Sequence, residues 1–233
     1  MTTSAKILRP EATAITCAEC GTLFELPYAT LAKFVRVCPT CSERHAFEDQ
    51  RQAVLSAKRL RAERWRNICP QEFLESSAHR LPHPDRLERL LKWRYGPRGL
   101  MLHGPTGAGK SRCAWLLLKR EFEAGRTVGA LNSTAGLTYA AKYGDSATEV
   151  ARWIDRLTGV DLALLDDVFK CKLTDSFEAA VFTIINERTE HRLPIMVTTQ
   201  DTGRTLLERL SPDRGEALVR RLREFCEDFP FPD

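Results

Sequence analysis

The sequence predicts an α/β chain in two parts: a short cysteine-rich module, then a parallel sheet flanked by helices. Four short, mostly apolar runs, Leu100–Leu102, Val128–Leu131, Leu162–Leu165 and Ile195–Thr198, alternate with the helical segments 110–123, 147–158, 175–190 and 215–224. Short apolar runs separated by helices are strands buried on both faces, the habit of parallel sheets. Two C-x2-C pairs stand within the first 41 residues. The full 233 residues suffice for one medium domain and a small module. The expected boundaries are 1–45 for the module, 46–98 for a connector and 99–233 for the sheet domain.

Composition excludes several classes. A hydrophobic content of 43% is enough for a packed core and argues against global disorder. No apolar run approaches the ~18–20 residues that span a bilayer. The stretch Met1–Thr16 holds Lys6 and Arg9 without an apolar core, so no signal peptide is expected and the location is expected to be cytoplasmic. The net charge, 35 − 31 = +4, permits a nucleic-acid partner without arguing for one.

The first element is the cysteine module. Cys17, Cys20, Cys38 and Cys41 are spaced C-x2-C-x17-C-x2-C, the pattern of a four-thiolate zinc site. Cys69, Cys113, Cys171 and Cys226 are scattered singly, so disulfides are not expected. Gly21 and Pro39 suit tight turns beside the two pairs. Phe24, Leu26, Tyr28, Leu31, Phe34 and Val35 are the candidate small core. A module this short needs a metal staple. Four cysteines close the zinc shell, leaving His45 as a spare ligand and no open position for chemistry. Whether such a ribbon meets a protein or DNA is open from the residues.

The connector carries helical stretches interrupted at Pro70, Pro82 and Pro84. Its segment Arg51–Arg66 holds six basic residues and one acid with no Gly or Pro, so a helix is expected. That helix is either a nucleic-acid or partner contact or a solvated connection. Trp65 and Phe73 are assigned to the core ahead of base stacking.

The sheet domain opens on a phosphate loop. Gly104-Pro105-Thr106-Gly107-Ala108-Gly109-Lys110-Ser111 matches G-x4-G-K-[ST] between the strand at 100–102 and the following helix. The glycines permit backbone conformations and close approaches that a Cβ forbids. Successive N–H groups then form an anion nest at the positive end of a helix. Lys110 supplies a full charge to the β- and γ-phosphates, and the Ser111 hydroxyl is a hard oxygen ligand for Mg²⁺.

The next strand, Leu162–Leu165, runs into Asp166 and Asp167. Ligands gather at the carboxyl ends of parallel strands, so both acids should reach the phosphates. Asp166 is the expected Mg²⁺ partner and Asp167 the expected group that orients or deprotonates the attacking water. The strand Pro194–Gln200 ends in Thr198, Thr199 and Gln200, with Thr199 the first candidate to meet the γ-phosphate or water.

This order, followed by Leu218-Val219-Arg220-Arg221-Leu222-Arg223, resembles the AAA+ ATPases and, within them, the DnaC/IstB-like helicase loaders. The segments that carry the resemblance are GLMLHGPTGAGKSR, LALLDDVFK, INERTEHRLPIMVTTQ and LVRRLREF, within residues 99–225. The approach from Arg188 to Pro194 and the short RRLRE helix point to loaders in particular. The resemblance implies a P-loop AAA+ sheet with little or no lid and ATP hydrolysis with Mg²⁺. It implies an arginine finger at Arg221, with Arg220 or Arg223 as neighbouring registers. Its implied partners are a replicative helicase and single-stranded DNA, and it implies a homo-oligomer or an assembly on a helicase ring. A transposition helper of the IstB type and a non-hydrolysing ATP-bound adaptor are the other readings. The zinc ribbon departs from the all-helical loader plan.

Overall fold

The structure is a computed structural model that describes residues 12–77, 81, 83–132, 147–170, 175–201 and 203–232. Lys6, Arg9, Pro82 and Cys171 lie outside the described residues. The chain forms two compact units, residues 1–63 and 64–233. No helix among the described residues is long and apolar enough to cross a membrane.

In the first unit, β1 (Thr13–Thr16) and β2 (Leu23–Leu26) form an antiparallel hairpin. Gly21 sits in its turn at φ 72, a left-handed conformation that favours glycine. A 3-10 turn follows at Ala29–Lys33, and α1 then runs Pro39–Ile68. Pro39 is therefore the first residue of a helix rather than part of a tight turn. Its fixed φ suits that position, and its missing N–H has no helical partner to lose. The helix continues beyond residue 63 and includes Arg51–Arg66, with every residue from Ser42 to Arg64 exposed.

The small core differs from the expected one. Cys17, Cys38 and Cys41 are buried together, with Phe24 and Val37 against them, and Leu26 is also buried. Tyr28 and Phe34 are 55% and 83% exposed and contribute no interior. The thiols occupy the space that the aromatic rings were expected to fill.

The second unit is built on a five-stranded parallel sheet: β3 (Gly99–His103), β4 (Val128–Asn132), β5 (Leu162–Asp166), β6 (Ile195–Thr199) and β7 (Cys226–Pro230), in the order β4-β5-β6-β3-β7. Its helices are α2 (Gln71–Leu74), α3 (Pro84–Leu90), α4 (Lys110–Glu123), α5 (Ala147–Thr158), α6 (Asp175–Glu190), α7 (Arg204–Leu207) and α8 (Pro212–Phe225).

Strand alternation divides the apolar runs between two faces. Leu100, Leu102, Leu162, Leu164 and Met196 pack with Trp65, Leu90, Trp115 and Leu118. Met101, Ala163, Leu165, Ile195 and Val197 pack with Ile184, Ile185, Leu218 and Leu222. Both faces are covered, so the strands are apolar on both sides.

β7 was absent from the sequence reading. Its residues, Cys-Glu-Asp-Phe-Pro, lack an apolar run: it pairs with β3 at one edge of the sheet and buries only Cys226. Glu227 and Asp228 are exposed there, and Pro230 closes the strand where an edge tolerates it.

Arg188 on α6 is fully buried and acts as a clamp. Its guanidinium donates to the carbonyls of Leu157, Val160, Asp161 and Pro194 at 2.6, 2.8, 2.9 and 2.7 Å. These carbonyls lie on the segments that feed β5 and β6, and burial draws the guanidinium's pKa down to about 10. Arg188→Met fills similar space but strands several buried acceptors, each costing about 1–3 kcal/mol. The expected loss is about 3 kcal/mol, or roughly 6–12 °C in melting temperature for a domain this size. Scanning calorimetry checks it.

Candidate nucleotide site

β3 hands the chain to the loop 104–109, and α4 starts at Lys110. Gly109 precedes the helix at φ 90, and Gly107 at φ 84 forms part of the exposed tip with Pro105 and Thr106. Gly104 meets a close neighbour from its own chain. A Cβ there would lie 2.1 Å from the Phe231 carbonyl oxygen, so the close approach comes from the chain's own C-terminal segment. The Phe231 N–H donates to the His103 carbonyl at 2.7 Å and fixes that approach.

Lys110 is 6% exposed, and its ammonium donates to the Gly104 and Pro105 carbonyls, both at 2.7 Å. Burial lowers its pKa, while the charges of Asp167 and Asp166 act in the opposite direction. Ser111, half-buried in the first helical turn, sits beside it in sequence.

Asp166 ends β5 and is buried. Its Oδ1 accepts the Thr198 hydroxyl at 2.6 Å, and its Oδ2 accepts the Trp115 indole N–H at 2.9 Å. Asp167 turns into the left-handed region at φ 56, which Asp tolerates better than most residues. Its N–H donates to the Thr198 hydroxyl oxygen at 2.9 Å. Burial raises the Asp167 pKa, Asp166 raises it further, and Lys110, Lys170 and a Gln200 hydrogen bond oppose them. Lys110, Asp166 and Asp167 thus form one interacting charge cluster at the carboxyl ends of β3 and β5.

Thr199, the first strand-end candidate for the γ-phosphate or water, is the last residue of β6. It is 1% exposed, and its hydroxyl accepts the Asp201 N–H at 3.0 Å. Thr198, its neighbour on the other face, is the residue that touches Asp166. Sequence reasoning placed polar groups at this strand end correctly but could not tell which of the two faces the acid.

Arg221 is half-buried on α8, its guanidinium carbon 5.6 Å from the centre of the Phe182 ring on α6. Arg220 and Arg223 are exposed. α8 is held at its start by Glu178, a buried carboxylate that accepts the Ser211 N–H at 3.1 Å and its hydroxyl at 2.5 Å. A carboxylate there also favours the helix dipole.

Two donor sets suit metals. The Ser111 hydroxyl and the Asp166 carboxylate are the hard oxygens that Mg²⁺ prefers, and each Asp166 oxygen keeps a further lone pair beside its single hydrogen bond. In the first unit the sulfurs of Cys17, Cys20, Cys38 and Cys41 all lie within 4.8 Å of one another. Backbone N–H groups of Cys20 and Cys38 lower the Cys17 pKa to about 6, whereas burial and the neighbouring sulfurs push Cys41 up to about 12. Four thiolates this close need a cation, and an all-sulfur tetrad fits zinc. His45 is engaged elsewhere, with Nε2 2.8 Å from Glu19 Oε1.

No family model and no curated protein matches the sequence. Solved structures do match the fold. The DnaC helicase loader aligns at a TM-score of 0.56 and 19% identity, over 70% of this chain and 99% of that one. DnaI aligns at 0.53 and 19% identity, over 70% and 91%. The replication initiator DnaA bound to AMPPCP and single-stranded DNA aligns at 0.53 and 15% identity, over 67% of this chain and 50% of that one. The chain therefore spans about half the length of the initiator and nearly all of the loader structures. It has the P-loop AAA+ fold that these loaders and initiators share, together with a four-cysteine cluster near its N-terminal end.

Proposed function

We propose that this chain is an ATP-dependent loader that acts on a replicative helicase and single-stranded DNA in the cytoplasm. The observation that carries the reading is the loop 104–109 after β3 and the acids Asp166 and Asp167 at the end of β5, both at carboxyl ends of one parallel sheet, on a fold that covers 99% of the DnaC helicase loader chain. Backbone N–H groups of residues 104–111 receive the phosphates of ATP. Lys110 leaves its two loop carbonyls and neutralises phosphate charge. Ser111 and Asp166 hold Mg²⁺, which when bound offsets charge on the transferred phosphoryl group. Asp167 orients the attacking water or takes its proton; its raised pKa suits that exchange. Thr199 is the remaining strand-end candidate, and Arg221 reaches the ATP of a neighbouring subunit as a planar, permanently charged donor.

The ribbon serves partner choice, since its thiolate shell has no open position. The exposed basic face of Arg51–Arg66 suits DNA phosphates, so DNA affinity should fall steeply with salt. Trp65 is buried and Phe73 stacks on Trp115 at 5.7 Å, so neither is free to stack on bases.

The decisive test is loading itself. The purified chain should capture a replicative helicase ring and, with ATP, transfer it to single-stranded DNA. Arg221→Ala and Lys110→Ala chains should each be inactive, and their mixture should regain part of the ATPase rate. Stimulation only by duplex DNA, with no helicase capture, would contradict the proposal.

A further inference from the structure

Trp115 is a residue the site's chemistry does not use directly, yet it touches the acid assigned to Mg²⁺. It lies on α4 five positions after Lys110, is 2% exposed, and donates its indole N–H to Asp166 Oδ2 at 2.9 Å. The only other hydrogen bond described for that carboxylate comes from Thr198. One carboxylate oxygen is thus aimed from β6 and the other from the phosphate-loop helix itself. The indole does more than fill the core: an apolar ring of the same size would pack here without fixing Asp166.

The ring has two aromatic neighbours. Phe73 of α2 stacks on it at 5.7 Å with planes 16° apart, and Trp65 meets it edge-on at 6.2 Å and 72°. Trp65 lies in the last turns of α1 and also packs on Phe122 at 5.4 Å. Its own indole N–H is buried with no partner among the described residues. A continuous path therefore runs from Asp166 through Trp115 to the foot of α1, with no solvent-exposed step.

We propose that Trp115 is a positioning residue that sets the Asp166 carboxylate for Mg²⁺ and passes the state of that carboxylate to the aromatic cluster at the end of α1. The proposal rests on the nucleotide reading given above and extends it to how the site signals. A carboxylate drawn toward a cation and its water shell reorients against the two donors that hold it. Thr198 presents a small hydroxyl whose proton can reorient while its oxygen keeps the Asp167 N–H. Trp115 is a rigid ring in close packing, so it can follow only by moving against Phe73 and Trp65. No charge is exchanged along the path; the coupling is geometric.

The test has two arms on the full-length chain. In the first, the protein is labelled with 5-fluorotryptophan, and its four resonances are assigned with single Trp→Phe variants. Adding Mg²⁺ to the ADP-saturated protein should shift the Trp115 and Trp65 signals, while Trp153, on the opposite face of the sheet, stays in place. In the second arm, Trp115→Phe keeps a stacking ring and removes only the N–H. ADP binding in EDTA should match the unsubstituted protein, while the Mg²⁺ concentration that half-saturates the additional binding should rise about 10-fold or more. Trp115→His, which can restore an N–H donor, should recover part of that shift. An unmoved Trp115 signal, or an unchanged Mg²⁺ half-saturation in Trp115→Phe, overturns the proposal and leaves the nucleotide reading intact. Failure of the unsubstituted chain to bind ADP overturns both.

Discussion

Lys110→Ala is expected to abolish nucleotide-dependent thermal stabilisation. A ligand present at a hundred times its Kd stabilises the folded state by about 2.7 kcal/mol, which is roughly 5–10 °C for a domain of this size. On the proposed reading the variant loses a full positive charge that would meet the phosphates, so that shift should fall to near zero. Its melting temperature without nucleotide should hold, because burial already disfavours the ammonium in its resting place on the Gly104 and Pro105 carbonyls. Binding and folding are thereby separated in one scan. Asp167→Asn supplies the companion result: full stabilisation by ATP, with turnover reduced about 10²–10⁴-fold. Normal turnover in Asp167→Asn would move the base elsewhere.

The second large effect belongs to the cysteine tetrad. Ordering a residue costs about 1–2 kcal/mol of backbone entropy, and one buried leucine returns only about 1.5–3 kcal/mol. Leu26 is the only buried residue, apart from the cysteines, among the described residues of the hairpin and its turns. A module of some thirty residues therefore needs a staple, and a zinc ion in the cysteine tetrad would supply it. Cys38→Ser, or removal of zinc by a chelator, should erase amide protection over residues 12–45 and release zinc in proportion. Nucleotide binding by residues 64–233 should continue unchanged. Protection that survives in zinc-free protein would show that the fold has another source of stability.

The sequence made four strands of the parallel sheet legible and left β7 obscure. β3, β4, β5 and β6 each announced themselves because both of their faces are covered and every residue in them had to be apolar or strand-end polar. β7 buries only Cys226 and half-buries Phe229, so its composition is that of a loop. The phosphate loop was readable because its chemistry depends on backbone freedom and a fixed spacing. The partners of Asp166 were not readable, because Trp115 occupies an ordinary core position on α4 and nothing local distinguishes an indole that packs from one that also donates. The same limit applied in the ribbon: Tyr28 and Phe34 had the composition of a core, but in so small a volume the thiols themselves were the core.

Gly104 carries a consequence for reading relatives of this chain. Its lack of a side chain is demanded by the Phe231 carbonyl, at 2.1 Å from where a Cβ would stand, and by its φ of 142. That demand persists whether or not a phosphate is ever bound. A descendant that abandoned nucleotide chemistry would remain free to replace Lys110 and Asp167, but would have to keep Gly104 for as long as the segment after the strand Cys226–Pro230 stayed docked. Divergence at 110 and 167 with retention at 104 is accordingly the fingerprint of a degenerate copy, and the first glycine of the loop is a witness to architecture as well as to activity.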